Sequence, residues 1–415
     1  MTEQHPVPGG PRAADGELPA GGSPRARALL LLVCAALVAH GSLYPYHFIE
    51  PESFRDALAQ LLSRRHWWTS RGDVLGNVVL FVPLGALGQW VLQLWIRPRA
   101  AAVLVLLVGT AVALGLQVAQ LYVPERDAEL ADVLWNAVGL GLGVMAALLT
   151  PAARLGLTGR AIGRTAAESA RLRLAAALAL LWLSLNWWPF VPTLDWAHLK
   201  SVLRGLWSGP HGSLLSLTGA ALGVLVIGHL LRSLHNRRRV LWTLCALSLA
   251  GRLFTAGQWL SPGLLLGVLC GALAAEAAWR AGDAKAGRLL FWGVVLWFAL
   301  DALRPYRLTT EPHDIHWLPF KAMLHGSMLS NLLSLCWNLF WIGAAVSLAA
   351  GAARPLHRVT LAISAGVAGL ELVQTHLPGR VADVTPALLP ALWWLVARAV
   401  LARPGAPIDG ATDSG

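Results

Sequence analysis

QVAQLYVPERDAELADVLWNAVGLGLG (residues 117–143) runs an apolar helix into a charged turn and out again into a second apolar helix. Gln117 and Gln120 close the first helix, Arg126, Glu129 and Asp132 mark the turn, and Asn136 lies four residues further on. Charged groups at the mouth of a membrane helix cost several kcal/mol unless they are paired or wet. The pattern returns downstream as Glu371-xx-Gln374 followed by LPGRVAD, with Arg380 and Asp383. Gln120 to Gln374, Arg126 to Arg380, Glu129 to Asp383 and Asn77 to Asn331 all differ by 254 positions. The chain is therefore expected to mount a duplicated polar site on a membrane protein.

Composition supports the membrane half of that expectation. Mean hydropathy is +0.57, and 56% of the 415 residues are hydrophobic against 13% charged, where soluble chains run near ~25% charged. Apolar stretches repeat at about the length that crosses a bilayer core. The net charge of +11 does not imply nucleic-acid binding. Most basic residues are arginines scattered in short loops, and no basic face with stacking aromatics emerges. Cys34, Cys245, Cys270 and Cys336 lie in apolar runs with no CxxC or Cys/His spacing, so they read as small hydrophobes. No metal or cofactor is expected.

Twelve spans can be drawn, at about 28–43, 74–95, 101–122, 132–150, 174–190, 213–231, 240–259, 263–280, 289–303, 328–350, 359–377 and 384–402. With the N-terminus inside, inner segments hold 21 basic residues and outer loops 11. That bias places both termini in the cytoplasm and both arginine turns outside. Residues 1–27 and 403–415 read as tails, the first disordered and both cytoplasmic. The body reads as an all-α polytopic transmembrane bundle of three parallel four-helix repeats: 28–150, a degenerate 151–288, and 289–402. Each opens with a helix ending in a Pro–aromatic pair, Pro45-Tyr46, Pro189-Phe190 or Pro305-Tyr306. Each carries a glutamine near the end of its third helix, Gln120, Gln258 or Gln374. The alternative is that only the outer units are copies.

Each polar residue has a functional and a structural reading. Arg126 and Arg380 either fork onto an external anion or form ion pairs with Glu129, Asp132, Glu371 or Asp383. Asp73 and Asn77 share one helix face, as do Asp132 and Asn136; the two pairs either line a pocket or bond to each other. Glu371 and Gln374 share a face, and the carboxylate is either a proton carrier or acid/base or a partner for Arg380. Arg252, in mid-span, should find a carboxylate or snorkel. The tryptophan pairs Trp67-Trp68, Trp187-Trp188 and Trp393-Trp394 are assigned to interfacial belts ahead of sugar platforms. The glycines of VGLGLG are assigned to close helix contacts.

GDVLGNVVLFVPLG (72–85), with Asp73, Asn77, Phe81, Pro83 and Gly85, resembles the signature second helix of VanZ-like membrane proteins. The opening segment is similar to the same family's pattern of E-xx-Q, a Pro–Gly–Arg turn, acids three and six residues on, then Asn and Gly. The first unit supplies Arg126, Glu129, Asp132, Asn136 and Gly139 but has Gln117 in place of the glutamate. The last supplies Glu371, Gln374, Pro378, Gly379, Arg380 and Asp383, then has Pro386 and Pro390 where an acid and Asn would fall. The resemblance implies a protein of the cell envelope, in a family associated with low-level teicoplanin resistance. Three functions remain open. One is a binding component of envelope homeostasis or glycopeptide resistance, with membrane lipids and a lipid-linked or cell-wall precursor as partners. The others are an enzyme on such a substrate and a transporter.

Overall fold

The computed structural model describes residues 24–63, 71–149, 166–208, 214–280, 283–324, 328–350 and 355–400. A helix of 16 to 23 residues occupies each of the twelve expected stretches. In chain order the helices are α1 (Pro24–Leu43), a short α2 (Phe54–Ser63), α3 (Arg71–Leu92), α4 (Pro98–Gln120) and α5 (Leu130–Leu149). Next come α6 (Ala166–Trp187), a short α7 (Trp196–Ser208), α8 (Leu214–Leu230), α9 (Arg237–Phe254) and α10 (Pro262–Ala278). The last set is α11 (Asp283–Ala302), a one-turn α12 (Lys321–Leu324), α13 (Met328–Ala350), α14 (Leu356–Gln374) and α15 (Thr385–Val400). Among the described residues, seven helices are long and apolar enough to cross a membrane: α1, α3, α4, α5, α8 with the 3-10 turn that extends it to Ser233, α13 and α14. The other long helices are shorter, as α10 and α15 are, or carry charged residues in their end turns. Trp67-Trp68, most of both tails and much of the 151–173 segment lie outside the described residues.

The ends of α1, α6 and α11 share one geometry. Each is followed by a cis X–Pro peptide, at Tyr44-Pro45, Trp188-Pro189 and Arg304-Pro305. The aromatic residue after it has φ of 68°, 60° and 61° at Tyr46, Phe190 and Tyr306. In each case its N–H donates to a carbonyl three residues back, that of Leu43, Trp187 or Leu303. Left-handed backbone is unusual for a bulky residue, so these three chain reversals are held by their surroundings. The extended chain that follows pairs with the turn after α4 or α14, or with the end of α9. Ile49 N–H donates to Tyr122 O, Thr193 N–H to Phe254 O, and Thr309 N–H to His376 O.

Packing differs between the sets. α3 and α5 meet backbone to backbone, because a Cβ on Gly85, Gly139 or Gly143 would overlap a carbonyl of the facing helix. α8 and α10 use Gly267 and Gly271 in the same way. Small residues permit this approach where apolar lipid removes the usual drive to associate. α13 and α15 approach far less closely. Trp393, at the position corresponding to Gly139, fills the notch over Gly343 and donates Nε1–H to Leu339 O at 2.7 Å. The largest core joins the middle and last sets around Trp182, Trp297, Phe340, Trp341 and Trp393. The aromatic-belt assignment is therefore corrected for Trp188 and Trp393. Both are buried, at 6% and 4% exposure, Trp188 against Phe190 just beyond the end of α6 and Trp393 between α13 and α15.

Candidate functional site

In the first set the polar residues close on one another. Asp132, at the start of α5, accepts Asn77 Nδ2–H at 2.6 Å and Gln117 Nε2–H at 3.2 Å, tying together α3, α4 and α5. Gln117 Oε1 accepts the Glu129 backbone N–H at 2.9 Å. Gln120 Nε2–H donates to Ser42 O at 2.8 Å. Asn136 is buried one turn beyond Asp132. Asp73 is exposed at the start of α3, on the same face as Asn77. Buried Gln120 Oε1, Glu129 Oε2 and Asn136 Oδ1 have no hydrogen-bond partner among the described residues.

Both arginines serve a purpose that neither earlier alternative named. Arg126 donates Nε–H to Tyr44 O at 2.9 Å and Nη2–H to Gly41 O at 2.7 Å. Arg380 donates Nε–H to Arg304 O at 3.0 Å and Nη2–H to Asp301 O at 2.6 Å. The accepting carbonyls in each case belong to the residue before the cis proline and to the residue three earlier. Each guanidinium thus caps the end of a helix, where the last carbonyls lack intrahelical donors and the dipole favours a cation. Neither arginine makes an ion pair within 4.0 Å among the described residues. The expected Arg–carboxylate pairs are corrected accordingly. Burial pulls the Arg126 guanidinium below its ordinary pKa, with the nearby Asp132 charge opposing that shift. In the middle set Gln258 Nε2–H reaches the equivalent carbonyl, Trp188 O, at 2.6 Å. Arg252 finds Asn186 Oδ1 at 2.6 Å, an amide oxygen in place of the expected carboxylate.

The last set keeps part of this network and opens the rest. Glu371 Oε2 accepts the Asp383 backbone N–H at 3.0 Å, the same bond that Gln117 makes to Glu129 254 positions earlier. Asp383 is buried and fully employed. Its Oδ1 accepts from Thr385 N–H at 2.6 Å and from the Thr385 hydroxyl, and its Oδ2 accepts Ala322 N–H at 3.1 Å. That caps α15 and anchors α12. Asn331, Glu371, Gln374, Arg380 and Asp383 then line one cavity of about 360 Å³. Asp301, Ser334, Trp337 and Asn338 line it as well. Asp301 accepts from the Arg304 guanidinium and from Trp337 Nε1–H at 3.3 Å. Ser334 and Asn338 went unnamed in the sequence reading, although their spacing from Asn331 puts all three on one helix face.

The two clusters lie at the same end of the bundle, each built where two helices finish and two begin. His40, near the end of α1, reaches Pro319 O at 2.7 Å through Nε2, and the adjacent Phe320 N–H donates to Thr385 Oγ1. The last cluster holds a polar cavity, whereas in the first Asp132 bonds directly to Asn77 and Gln117. No curated protein and no solved structure matches the chain. A family model described as VanZ/LLP1 matches residues 28–151, so the segment that builds the first cluster is similar to that family.

Proposed function

We propose that this VanZ-like membrane protein binds a component of the cell envelope in its open polar cavity, as part of envelope homeostasis or glycopeptide resistance. The cavity lined by Asn331, Glu371, Gln374, Arg380 and Asp383 carries this reading. It is of the size that small ligands occupy, and its polar groups gather at one rim of the bundle. That placement favours a binding component over a transporter, whose polar groups would lie near mid-membrane. The excess of arginine in the alternate loops turns this rim outward, away from the cytoplasm. The recurring helix order and the three like chain reversals support three successive units, of which the last carries the ligand site.

The test is protection of cells against teicoplanin by the full chain and by Ser334→Leu, at matched membrane abundance. Ser334 is exposed into the cavity, so leucine fills space without breaking a helix contact. Protection is expected to fall to the level of cells lacking the protein. Undiminished protection by the filled variant would contradict the reading.

A further inference from the structure

Glu371 is 6% exposed, and among the described residues its only hydrogen bond is the one from Asp383 N–H to Oε2. Glu371 lines the cavity, and among the described residues its Oε1 has no donor. No basic side chain lies within 4.0 Å of Glu371 among the described residues. Arg380 lines the same cavity. Its Nε and Nη2 are spent on carbonyls, which leaves Nη1 without a partner among the described residues. A buried acid and an arginine that share a cavity without pairing present opposite charges to whatever enters.

A second, apolar cavity of about 750 Å³ lies between α11, α13 and α14. Phe298 lines both cavities. Leu370 and Trp341, which line the apolar one, adjoin Glu371 in sequence and Trp337 one turn away, which line the polar one. The groove follows α14 from Arg358 to Leu370, roughly 18 Å at the helical rise, which matches the reach of an acyl chain. Beside it, a Cβ on Gly366 would meet nothing within 4 Å.

Resting on the binding reading above, we infer that the ligand is a bilayer phospholipid with a primary-ammonium head group, its chain in the groove and its head in the polar cavity. The ammonium donates to Glu371 Oε1 and supplies the charge that the buried carboxylate lacks. The phosphate takes Nη1 of Arg380. A quaternary head group has no N–H for Oε1, and a purely anionic one meets the Glu371 carboxylate unopposed.

Native mass spectrometry of the detergent-solubilised full chain, offered phosphatidylethanolamine, phosphatidylcholine or phosphatidylglycerol, tests this. Phosphatidylethanolamine is expected to be retained at least about tenfold better than the other two, as for a charge-assisted hydrogen bond. Glu371→Gln should abolish that preference while remaining folded, because Gln117 already accepts the equivalent backbone N–H in the first unit. Gly366→Leu should weaken all three lipids alike. Equal retention of the three lipids by the wild type, or an unchanged preference in Glu371→Gln, overturns the inference. Loss of teicoplanin protection in Ser334→Leu alongside either result would leave the cavity a binding site for some other head group. Unchanged protection would remove both.

Discussion

Arg126 and Arg380 show how a residue can be located from sequence while its partner stays hidden. Their spacing from the glutamine and acid identified them as a recurrent pair. Their partners, the carbonyls of Gly41, Tyr44, Asp301 and Arg304, are backbone groups with no signature in sequence. The Asn77–Asp132 bond was easier to foresee, since each residue belongs to a pair of polar residues four apart in a mostly apolar helix. If the arginines are helix caps, Arg126→Gln should lower stability by about 2–3 kcal/mol, the scale of two charge-assisted bonds lost with carbonyls left bare. Arg126→Lys should recover little, because an ammonium cannot span two carbonyls as the planar fork does. Heat survival of the solubilised protein, read by size exclusion, measures this. Wild-type survival in both variants would make Arg126 a ligand group after all.

At the scale of helices, apolar length located every long element, whereas α2 and α7 escaped. Both are short, with polar and apolar faces, and a search for apolar stretches long enough to span passes over such segments. The glycines of VGLGLG divide as their helical spacing requires. Gly139 and Gly143 face α3, while a Cβ on Gly141 would meet nothing within 4 Å. Gly143→Ala should therefore push α5 from α3 and cost about 1–3 kcal/mol. Gly115→Ala, in open space on α4, should be neutral or stabilise by up to about 1 kcal/mol through helix propensity. Heat survival of the two variants is the comparison; equal losses would mean that close approach of α3 and α5 is not what the glycines secure. The open cavity was not legible at this scale. Pro390 and Trp393 stand where Asn136 and Gly139 stand in the first set, but only packing shows that the indole fills a notch on α13 and keeps α15 away.

Across the whole molecule, the sequence carried the 254-residue correspondence because polar residues are rare in an apolar chain and their spacing survives as a pattern. The middle set was harder to see. Gln258 does there what an arginine does in its neighbours, and a turn reading WLSPG keeps the geometry without the charges. The joining of the two rims through His40 and Pro319 was also out of reach, since it depends on how the units pack. The account requires that both clusters face away from the cytoplasm. Single cysteines at Glu125 and Val381, both exposed beside the clusters, can be placed in a chain whose four native cysteines are replaced, with Arg97→Cys marking the opposite end. A membrane-impermeant maleimide applied to intact cells should label the first two and reach position 97 only after lysis. Labelling at 97 in intact cells, with 125 and 381 protected until lysis, would contradict it.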